Sequence, residues 1–522
     1  MQTHNASQAD PLGKARSHAE SGQFVEMMAE CQGLLAQTDL DFATCLNVGA
    51  LLAGYGFLSD ASRCYERARS LAPNDLRAII NLANIAHDSG DHGQSRRLYA
   101  KLLQVLPDHP VIRRNALTSL EYDPDVTELE RLSEARAWGN WAIARAGGEC
   151  PRPPFSAWID RPLRIGYVSA DLCQHTVGLF VKDVFRAHDK SRVEVFAYSA
   201  GNVSDRVTDR IRAACTLREV SSMDDAMLVD LIRADRIDVL IDLSGHTGGS
   251  RLTAFAHRPA SVMVSWLGYF ATTGLSYMDA VLLDTWHAPP GTEAQFVEPI
   301  ARMPSGRFCY QPIAGTPAHA VSPPLERNGY ITFGCFNNTA KLNDGVLDVW
   351  SKLLQALPSA RLILKWRTFN DEAFRHRMTQ AFADRGVAAD RIELRGPSFH
   401  QEMLKEYADI DIALDPFPFT GGLTSCESLW MGVPVVTLPQ HRVVSRQTSA
   451  LLNQIGLPDL VAIDADDYVR IALELVNHPK RLANLRATMR DRMRASPLMD
   501  VKGFTRQLEK TLIDLYQRIK AP

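Results

Sequence analysis

The chain has 522 residues, 46% hydrophobic and 22% charged, which is typical of a globular protein and enough for about three domains. The formal net charge of −3 excludes a bulk attraction to nucleic acid or to an anionic membrane. No apolar run approaches a membrane span, and the N-terminal segment lacks the apolar core of a secretory signal. The nine cysteines are scattered, with no CxxC pair, which favours reduced thiols in a cytoplasmic protein.

The first hundred or so residues repeat with a period of 34. Identical residues one period apart are Asn47 and Asn81, Gly56 and Gly90, Tyr65 and Tyr99, and Pro73 and Pro107. Gly22 extends the glycine register backwards by the same step. This period is typical of tetratricopeptide units, each a helix pair, and predicts about three units over residues 10–109. So few repeats could cap the domain behind them, or form a concave surface that binds a peptide.

Residues 110–162 read as a helical connector followed by a linker. The proline-rich stretch at 151–155 and the pair Arg161-Pro162 mark the linker.

Buried strand patterns then alternate with helical patterns, twice over. The strand candidates lie at 163–172, 192–199, 237–247, 261–269 and 279–284, and then at 330–337, 360–366, 391–396, 411–415 and 433–438. A turn-rich boundary at 315–328 separates the two sets. The alternation predicts an α/β architecture of two Rossmann-like domains, over 163–314 and 326–500, with a cleft between the carboxyl ends of their strands. A last helix within 501–522 is expected to pack across the pair.

The second predicted domain contains a strand–glycine loop–helix unit. The strand ends at Asp415, Gly421 and Gly422 follow, and a helix begins near Thr424 and Ser425. The first amides of a helix lack intrahelical partners and attract anions, and glycine lets a phosphate approach the backbone. The unit therefore resembles a phosphate cradle, although an ordinary turn between helix and strand also favours glycine.

A second candidate anion site follows another strand of the same domain. Lys341 could place a point charge on a phosphate, and Asn338 could orient a base or sugar through its amide. Glu427, one turn into the glycine-loop helix, could accept hydrogen bonds from ribose hydroxyls or simply favour the helix N-terminus. Neither GxxxxGK[ST] nor GxGxxG is present, so the pattern favours a nucleotide diphosphate over a dinucleotide cofactor.

In the first predicted domain, His175 and His246 stand at strand ends, where active sites of this architecture form. An imidazole there could act as the general base for an acceptor hydroxyl. Ser169 and Asp171 lie near His175, but no GxSxG elbow supports hydrolase chemistry.

The pair Asp409 and Asp411 has the spacing of a metal-binding DxD. It falls at the start of a buried strand, which favours a structural role at the strand edge. With no cluster of histidine and acidic residues in the sequence, we predict a site that needs no metal and no other cofactor.

Taken together, these motifs resemble the O-GlcNAc transferase/SPINDLY family of protein glycosyltransferases. The resemblance rests on the repeats, LRIGYVSADL (163–172) with His175, the SGHT segment, RPASVMVSWLGY (258–269), FNNTAK (336–341) and LDPFPFTGGLTSCESLWMGVPVVTL (414–438), all in order. It implies a GT-B fold and an inverting, metal-independent transfer of a sugar from a nucleotide sugar to serine or threonine of proteins.

The resemblance also implies roles for individual residues. His175 matches an active-site histidine once proposed as the base, and Lys341 the lysine that neutralises the donor diphosphate. The positions matched to donor-binding roles are Asn338 beside the lysine, Thr424 and Ser425 at the phosphate-binding helix start, Glu427 at the ribose, and Leu267 and Gly268 near the sugar.

Two segments depart from the pattern of the animal enzymes. Gly422 stands where those enzymes have a histidine, and FATTG (270–274) replaces a PGTSG-like loop. Transfer of GlcNAc from UDP-GlcNAc is the leading expectation. Fucose transfer from GDP-fucose, asparagine as the acceptor, a small-molecule acceptor and a non-catalytic repeat scaffold are the alternatives.

Overall fold

The computed structural model describes residues 11–37, 40–155, 161–320 and 322–521, and it begins with four helix pairs. They are α1 (Gly13–Glu20) with α2 (Phe24–Leu35), α3 (Phe42–Gly54) with α4 (Leu58–Leu71), α5 (Arg77–Asp88) with α6 (His92–Val105), and α7 (Pro110–Ser119) with α8 (Glu128–Arg145). The first three pairs follow the 34-residue period and confirm the helical repeats. The fourth pair occupies the connector, for which the sequence predicted only helix. The predicted linker includes residues 156–160, which lie outside the described residues.

The repeated glycines occupy the turns within the first three helix pairs. Gly22, Gly56 and Gly90 have φ values of +74°, +89° and +83°. Residues with a Cβ rarely adopt this backbone conformation, so the turn favours glycine at each repeat. The repeated tyrosine fills the groove between paired helices: a Cβ on Gly49 would lie 2.6 Å from the Tyr65 ring.

The first Rossmann-like domain is built on a seven-stranded parallel sheet of order β3-β2-β1-β4-β5-β6-β7. Its strands are β1 (Leu163–Ser169), β2 (Val193–Ser199), β3 (Thr216–Glu219), β4 (Val239–Asp242), β5 (Val262–Ser265), β6 (Ala280–Leu283) and β7 (Ile300–Arg302), and its helices are α9 (Thr176–Ala187), α10 (Arg206–Ala214), α11 (Asp225–Ala234) and α12 (Leu252–Phe255). Every residue of β4, β5 and β6 is buried, because helices cover both faces of the sheet.

The second domain repeats the plan with a five-stranded parallel sheet of order β10-β9-β8-β11-β12. The strands are β8 (Thr332–Cys335), β9 (Arg361–Lys365), β10 (Ile392–Arg395), β11 (Ile412–Leu414) and β12 (Val435–Val436). The helices are α13 (Pro324–Asn328), α14 (Asp344–Ala356), α15 (Glu372–Ala383), α16 (His400–Glu406), α17 (Leu423–Trp430), α18 (Gln447–Gln454), α19 (Ala465–Asn477) and α20 (Pro479–Ala495). The strand predicted over 433–438 is therefore much shorter, although Thr437 still bridges to Val461.

The last helix, α21 (Val501–Lys520), returns to the first domain. The buried Glu509 carboxylate accepts hydrogen bonds from the His188 ring at 3.0 Å and from the Asp189 amide at 2.8 Å. Phe504 stacks on Trp266, which lies just after β5. These contacts place the final helix on the first domain, and packing across both domains stays a prediction. The structure as a whole has the predicted GT-B architecture. No helix in the described part of the chain is both long and apolar enough to cross a membrane.

The contact between Gly49 and Tyr65 predicts a matched pair of effects on stability. Gly49→Ala should destabilise the repeats by about 1 to 3 kcal/mol, because the new methyl group must displace the ring. Gly54→Ala in the same helix meets no atom within 4 Å and should be neutral or slightly stabilising. Urea unfolding followed by circular dichroism measures both. Equal midpoints for the two variants would contradict the proposed packing.

Candidate active site

The two sheets face each other across a cleft at the carboxyl ends of their strands. In each sheet the strand order reverses beside the first strand, β1 or β8, and the loops after these strands and their neighbours β4 and β11 enclose a cavity of about 330 Å³. Such reversal points are where open α/β sheets bind ligands. The cavity is lined from the first domain by His175, Thr247, Leu267, Gly268, Tyr269 and Phe270, and from the second by Asn337, Asn338, Lys341, Phe419, Gly422, Leu423, Thr424 and Gln447.

Lys341 is a partly buried cation that lines this cavity. It lies in a 3₁₀ turn (Thr339–Lys341) just after β8, and its Nζ donates to Asn337 Oδ1 at 2.9 Å and to the Thr420 carbonyl at 2.8 Å. The ammonium also lies 4.7 Å from the centroid of the Phe419 ring. Burial lowers the pKa of Lys341 to about 8, and the nearby carboxylate of Asp415 opposes this shift. Because its pKa stays above neutral pH, the lysine is mostly protonated there and its charge is available to an entering anion.

Asp415, at the end of β11, organises the glycine loop opposite the lysine. Its Oδ1 accepts the Gly421 amide at 2.7 Å, and its Oδ2 accepts the Thr437 hydroxyl at 2.7 Å. Burial raises the pKa of Asp415, while these hydrogen bonds and Lys341 lower it. The loop that precedes α17 is therefore fixed from behind by a carboxylate.

Helix α17 points its N-terminus into the cavity. Gly422 is the residue before the helix, and its carbonyl accepts the first intrahelical bond, from the Cys426 amide at 3.1 Å. The amides of Leu423 and Thr424 precede that bond, so they are the free donors expected of a helix start. A Cβ on Gly422 would lie 2.8 Å from Gln447 Oε1, so the glycine departure gives the Gln447 side chain its room.

Asn337 joins the lysine to the helix start. Its Oδ1 accepts both the Lys341 ammonium and, at 3.0 Å, the hydroxyl of Thr424. Lys341, Thr424 and the first amides of α17 therefore form one cluster of donors. Such a cluster can bind a diphosphate by charge and by hydrogen bonds.

His175 faces the cavity from the first domain. It precedes α9, with its Nδ1 at 3.4 Å from the Val177 amide and at 3.7 Å from a carboxylate oxygen of Asp171. Its side chain is half exposed, and burial raises the pKa of Asp171. An exposed imidazole beside a carboxylate can orient a hydroxyl or take up its proton.

The loop after β5 forms the neighbouring wall of the cavity. Leu267 has a φ of +70°, and a Cβ on Gly268 would lie 1.8 Å from the Leu243 carbonyl oxygen, so the loop is pressed tightly against β4. The buried Arg307 guanidinium donates to the carbonyls of Leu267 and Tyr269. Burial lowers the pKa of Arg307 to about 9. A fixed loop of this kind gives the cavity a rigid wall.

An aromatic cluster made from three parts of the chain lies beside Lys341. Tyr122, which follows α7, stacks on Phe419 of the second domain with ring centroids 4.3 Å apart. Phe270 of the first domain meets the same ring edge-on at 5.9 Å. The helical connector thus contributes to the wall of the cleft through Tyr122 and through Thr118 and Glu121.

Four predicted site residues do not line the cavity. His246 is buried between Trp138 and Tyr269, its Nε2 donates to the Thr273 carbonyl, and burial lowers its pKa to about 4. Gly421 gives its amide to Asp415, and Ser425 is buried against Thr448. Glu427 is buried and bonded to His400, which raises the pKa of the histidine. A ribose contact by Glu427 stays a prediction.

The sequence did not predict several side chains that line the cavity, and only some of these had a signal in the sequence. Asn337 stands beside the predicted Asn338 in the same motif, and it is Asn337 that bonds Lys341. Asn338 instead caps its own turn by accepting the Ala340 amide at 3.1 Å. For Tyr122 and Gln447 the sequence holds no local signal, because each reaches the cleft through packing of distant segments.

The two aspartates with metal-like spacing hold the second domain together. Asp411 accepts the Leu325 and Thr332 amides, both at 2.9 Å, and Asp409 pairs with Arg395 at 2.9 Å. These bonds agree with the predicted structural role. Among the described residues, no group of three or more histidine, cysteine or acidic side chains is placed to hold a metal ion.

The fold and the cleft define a glycosyltransferase of the GT-B class. The family model of glycosyl transferase family 41 matches residues 154–312 and 325–508. The chain belongs to glycosyl transferase family 41.

Similar proteins come from plants, animals and bacteria. The chain is 35% identical over 433 residues to the probable UDP-N-acetylglucosamine–peptide N-acetylglucosaminyltransferase SPINDLY of Oryza sativa subsp. japonica, covering 80% of this chain and 46% of that protein. It is 25% identical over 486 residues to the UDP-N-acetylglucosamine–peptide N-acetylglucosaminyltransferase of Caenorhabditis elegans, covering 70% and 42%. The chain thus spans less than half the length of these curated relatives.

A solved bacterial structure is similar over almost its whole length. A mutant of the Thermobaculum terrenum O-GlcNAc transferase superposes with a TM-score of 0.89 at 35% identity, covering 100% of this chain and 99% of that one. The short repeat region followed by two Rossmann-like domains is therefore an arrangement shared with that protein.

The lowered pKa of Lys341 predicts a pH dependence of anion binding. A diphosphate binds the protonated lysine, and the free protein loses that proton as the pH rises through about 8. We expect the affinity for UDP to fall above this pH, by up to ~10-fold per pH unit for one proton. Calorimetric titrations between about pH 7 and pH 9.5 measure it. Lys341→Arg keeps its charge over this range and should give a flat profile. If the affinity of the parent chain for UDP stayed constant over this pH range, the role of Lys341 in anion binding would be contradicted.

Proposed function

We propose that the protein transfers a sugar from a nucleotide sugar to hydroxyl groups of proteins, with UDP-GlcNAc as the donor and serine or threonine as the acceptor. The observation that carries this proposal is the cluster of hydrogen-bond donors formed by Lys341, Thr424 and the first amides of α17. This cluster faces His175 across the cleft. A diphosphate would bind on the second domain, and the acceptor would approach from the first.

The leaving diphosphate gains charge as the bond to the sugar breaks. Lys341 and the α17 amides are already aimed into the cavity, so they stabilise this charge without reorganising. The acceptor hydroxyl attacks the anomeric carbon from the opposite side, which inverts its configuration. His175 orients this hydroxyl or takes up its proton. We further propose that the reaction needs no metal or other cofactor, because Lys341 and the α17 amides stabilise the charge of the leaving diphosphate.

The names of the relatives support GlcNAc as the sugar. The plant and nematode proteins are named UDP-N-acetylglucosamine–peptide N-acetylglucosaminyltransferases, and the bacterial structure an O-GlcNAc transferase. We therefore favour UDP-GlcNAc over GDP-fucose and a protein acceptor over a small molecule. All nine cysteines are free thiols, which supports a reducing, cytoplasmic environment.

Replacing the cavity lysine tests catalysis. Lys341→Ala should lower the rate of transfer about 100-fold, or roughly 3 kcal/mol, because the diphosphate loses its buried positive charge. Transfer of radiolabelled GlcNAc from UDP-GlcNAc to lysate proteins measures the rate. Lys352→Ala is the matched control, since Lys352 is an exposed lysine paired with Asp466. A well-folded Lys341→Ala protein with the parent rate would contradict the proposal. Donor binding without any transfer by the parent chain would instead favour a non-catalytic scaffold.

A ligand screen tests the donor. UDP and UDP-GlcNAc should raise the melting temperature, because a ligand that binds only the folded protein stabilises it by mass action; 100 times Kd gives about 2.7 kcal/mol. GDP and GDP-fucose at the same concentrations should give smaller shifts. Differential scanning fluorimetry measures all four. A larger rise in melting temperature with GDP-fucose would instead indicate that GDP-fucose is the donor and fucose the transferred sugar.

A further inference from the structure

The turns of the second and third repeats are pressed against the second catalytic domain. A Cβ on Gly56 would lie 2.1 Å from the Arg367 carbonyl oxygen, and a Cβ on Gly90 would lie 2.9 Å from the Leu342 carbonyl oxygen. The equivalent Gly22 of the first repeat meets no atom within 4 Å. The same turn therefore recurs in three environments. It is free in the first repeat, it packs on Arg367 and Thr368 in the second, and it packs on the residue after Lys341 in the third. The second contact is one step from the lysine turn, because the Thr368 hydroxyl lies 2.8 Å from that of Thr339.

Contacts of the third repeat converge on the short turn from Thr339 to Lys341. His92, the first residue of α6, donates from Nε2 to the Ala340 carbonyl at 2.8 Å. The Thr339 hydroxyl lies 3.3 Å from the Asp88 carbonyl at the end of α5. Gly90 packs on Leu342, immediately after the lysine. The repeat thus contacts residues on both sides of Lys341 and binds the carbonyl of the residue before it.

The chemistry of His92 suits a fixed donor rather than a titrating group. The side chain is buried, with the His87 and Tyr122 rings beside it at 5.7 Å and 6.1 Å between ring centroids. Burial and the neighbouring His87 lower the pKa of His92 to about 4, against smaller opposing effects of the Ala340 carbonyl, Asp123 and Asp91. The imidazole is therefore neutral at physiological pH, with its proton on Nε2 directed at the Ala340 carbonyl.

The third repeat also reaches the opposite side of the lysine. His87 packs edge-on against Tyr122 at 4.5 Å, Tyr122 stacks on Phe419, and the Lys341 ammonium lies against that ring. Backbone and side chain of the lysine are therefore both in contact with groups that the third repeat supports.

We propose that the third repeat is part of the nucleotide-sugar site. His92 and Gly90 are positioning residues, which hold the 339–341 turn so that the Lys341 ammonium reaches the diphosphate. This inference rests on the proposed function and extends it, because it gives the repeats a role in the chemical step that is separate from binding an acceptor. Displacement of a catalytic group by about 1 Å can cost on the order of 100-fold in rate.

Alanine at the three equivalent glycines separates this role from general destabilisation. All three substitutions add the same strain at positive φ, but they differ in what the methyl group meets. Gly22→Ala should keep the parent kcat. Gly90→Ala should lower kcat about 10-fold or more and weaken UDP binding, with the KM for a peptide acceptor unchanged. Gly56→Ala should lower the melting temperature more than Gly22→Ala. It should affect kcat less than Gly90→Ala, because it packs on Arg367 and Thr368 and reaches the 339–341 turn only through the Thr368–Thr339 hydroxyl contact.

His92 provides a second, independent test should Gly90→Ala fail to fold. His92→Leu removes the donor to the Ala340 carbonyl and should lower kcat about 10-fold, while His92→Gln can restore the donor and should recover most of the rate. Steady-state kinetics with UDP-GlcNAc, together with calorimetric UDP titrations of the full chain, give the readouts. Circular dichroism and melting curves report the folding of each variant.

The outcomes are distinct. A parent chain that transfers GlcNAc, combined with equal kcat values for Gly22→Ala and Gly90→Ala, or for His92→Gln and His92→Leu, would overturn the positioning role and leave the proposed function intact. A loss confined to the KM for the acceptor would overturn it in favour of a peptide-binding role for the repeats. A parent chain that neither transfers GlcNAc nor binds UDP would overturn the proposed function and this inference with it.

Discussion

A partly buried ammonium group held between two loops of the second domain is the interaction on which the site depends. Lys341 donates to Asn337 from the loop after β8 and to the Thr420 carbonyl from the loop after β11. Removing this charge would take away the donor that these two acceptors share and the cation that lies near the Asp415 carboxylate. The lysine therefore keeps both loops in place before any ligand binds. That preorganisation distinguishes Lys341 from an exposed lysine, whose side chain must first be ordered.

The fold places this cation by a simple topological rule. Both sheets reverse their strand order beside their first strand, so the loops after β1, β4, β8 and β11 meet in one cleft. Helix α21 returns to the first domain, while the repeats dock on the second. Arg442 of the second domain donates to the carbonyls of Glu121 and Val126 in the connector, at one edge of the cleft. The cleft is thus enclosed on a third side by helices that belong to neither sheet.

The sequence predicted those parts of the structure that local periodicity encodes. The 34-residue spacing of Gly22, Gly56 and Gly90 reflects a backbone conformation that only glycine adopts easily, and the strand patterns reflect burial on both faces. Lys341 was predictable because it directly follows a strand. The burial of His246 was not, because it depends on Trp138, more than a hundred residues away. Nor did the motif distinguish Asn337 from Asn338, since both amides follow the same strand and only their hydrogen-bond partners in the folded chain differ.

The repeat glycines show why one pattern can hide two constraints. All three satisfy the same positive φ, so the period looks uniform. Gly56 and Gly90 must also leave room for carbonyl groups of the second domain, and Gly22 need not. Asparagine adopts a positive φ at a lower energetic cost than most residues with a Cβ. It could therefore satisfy the first requirement but not the second. The position of Gly22 therefore accepts a residue such as asparagine, because only the positive φ constrains it. The position of Gly90 is constrained by both requirements, because the carbonyl beside it belongs to the segment that carries the cavity lysine.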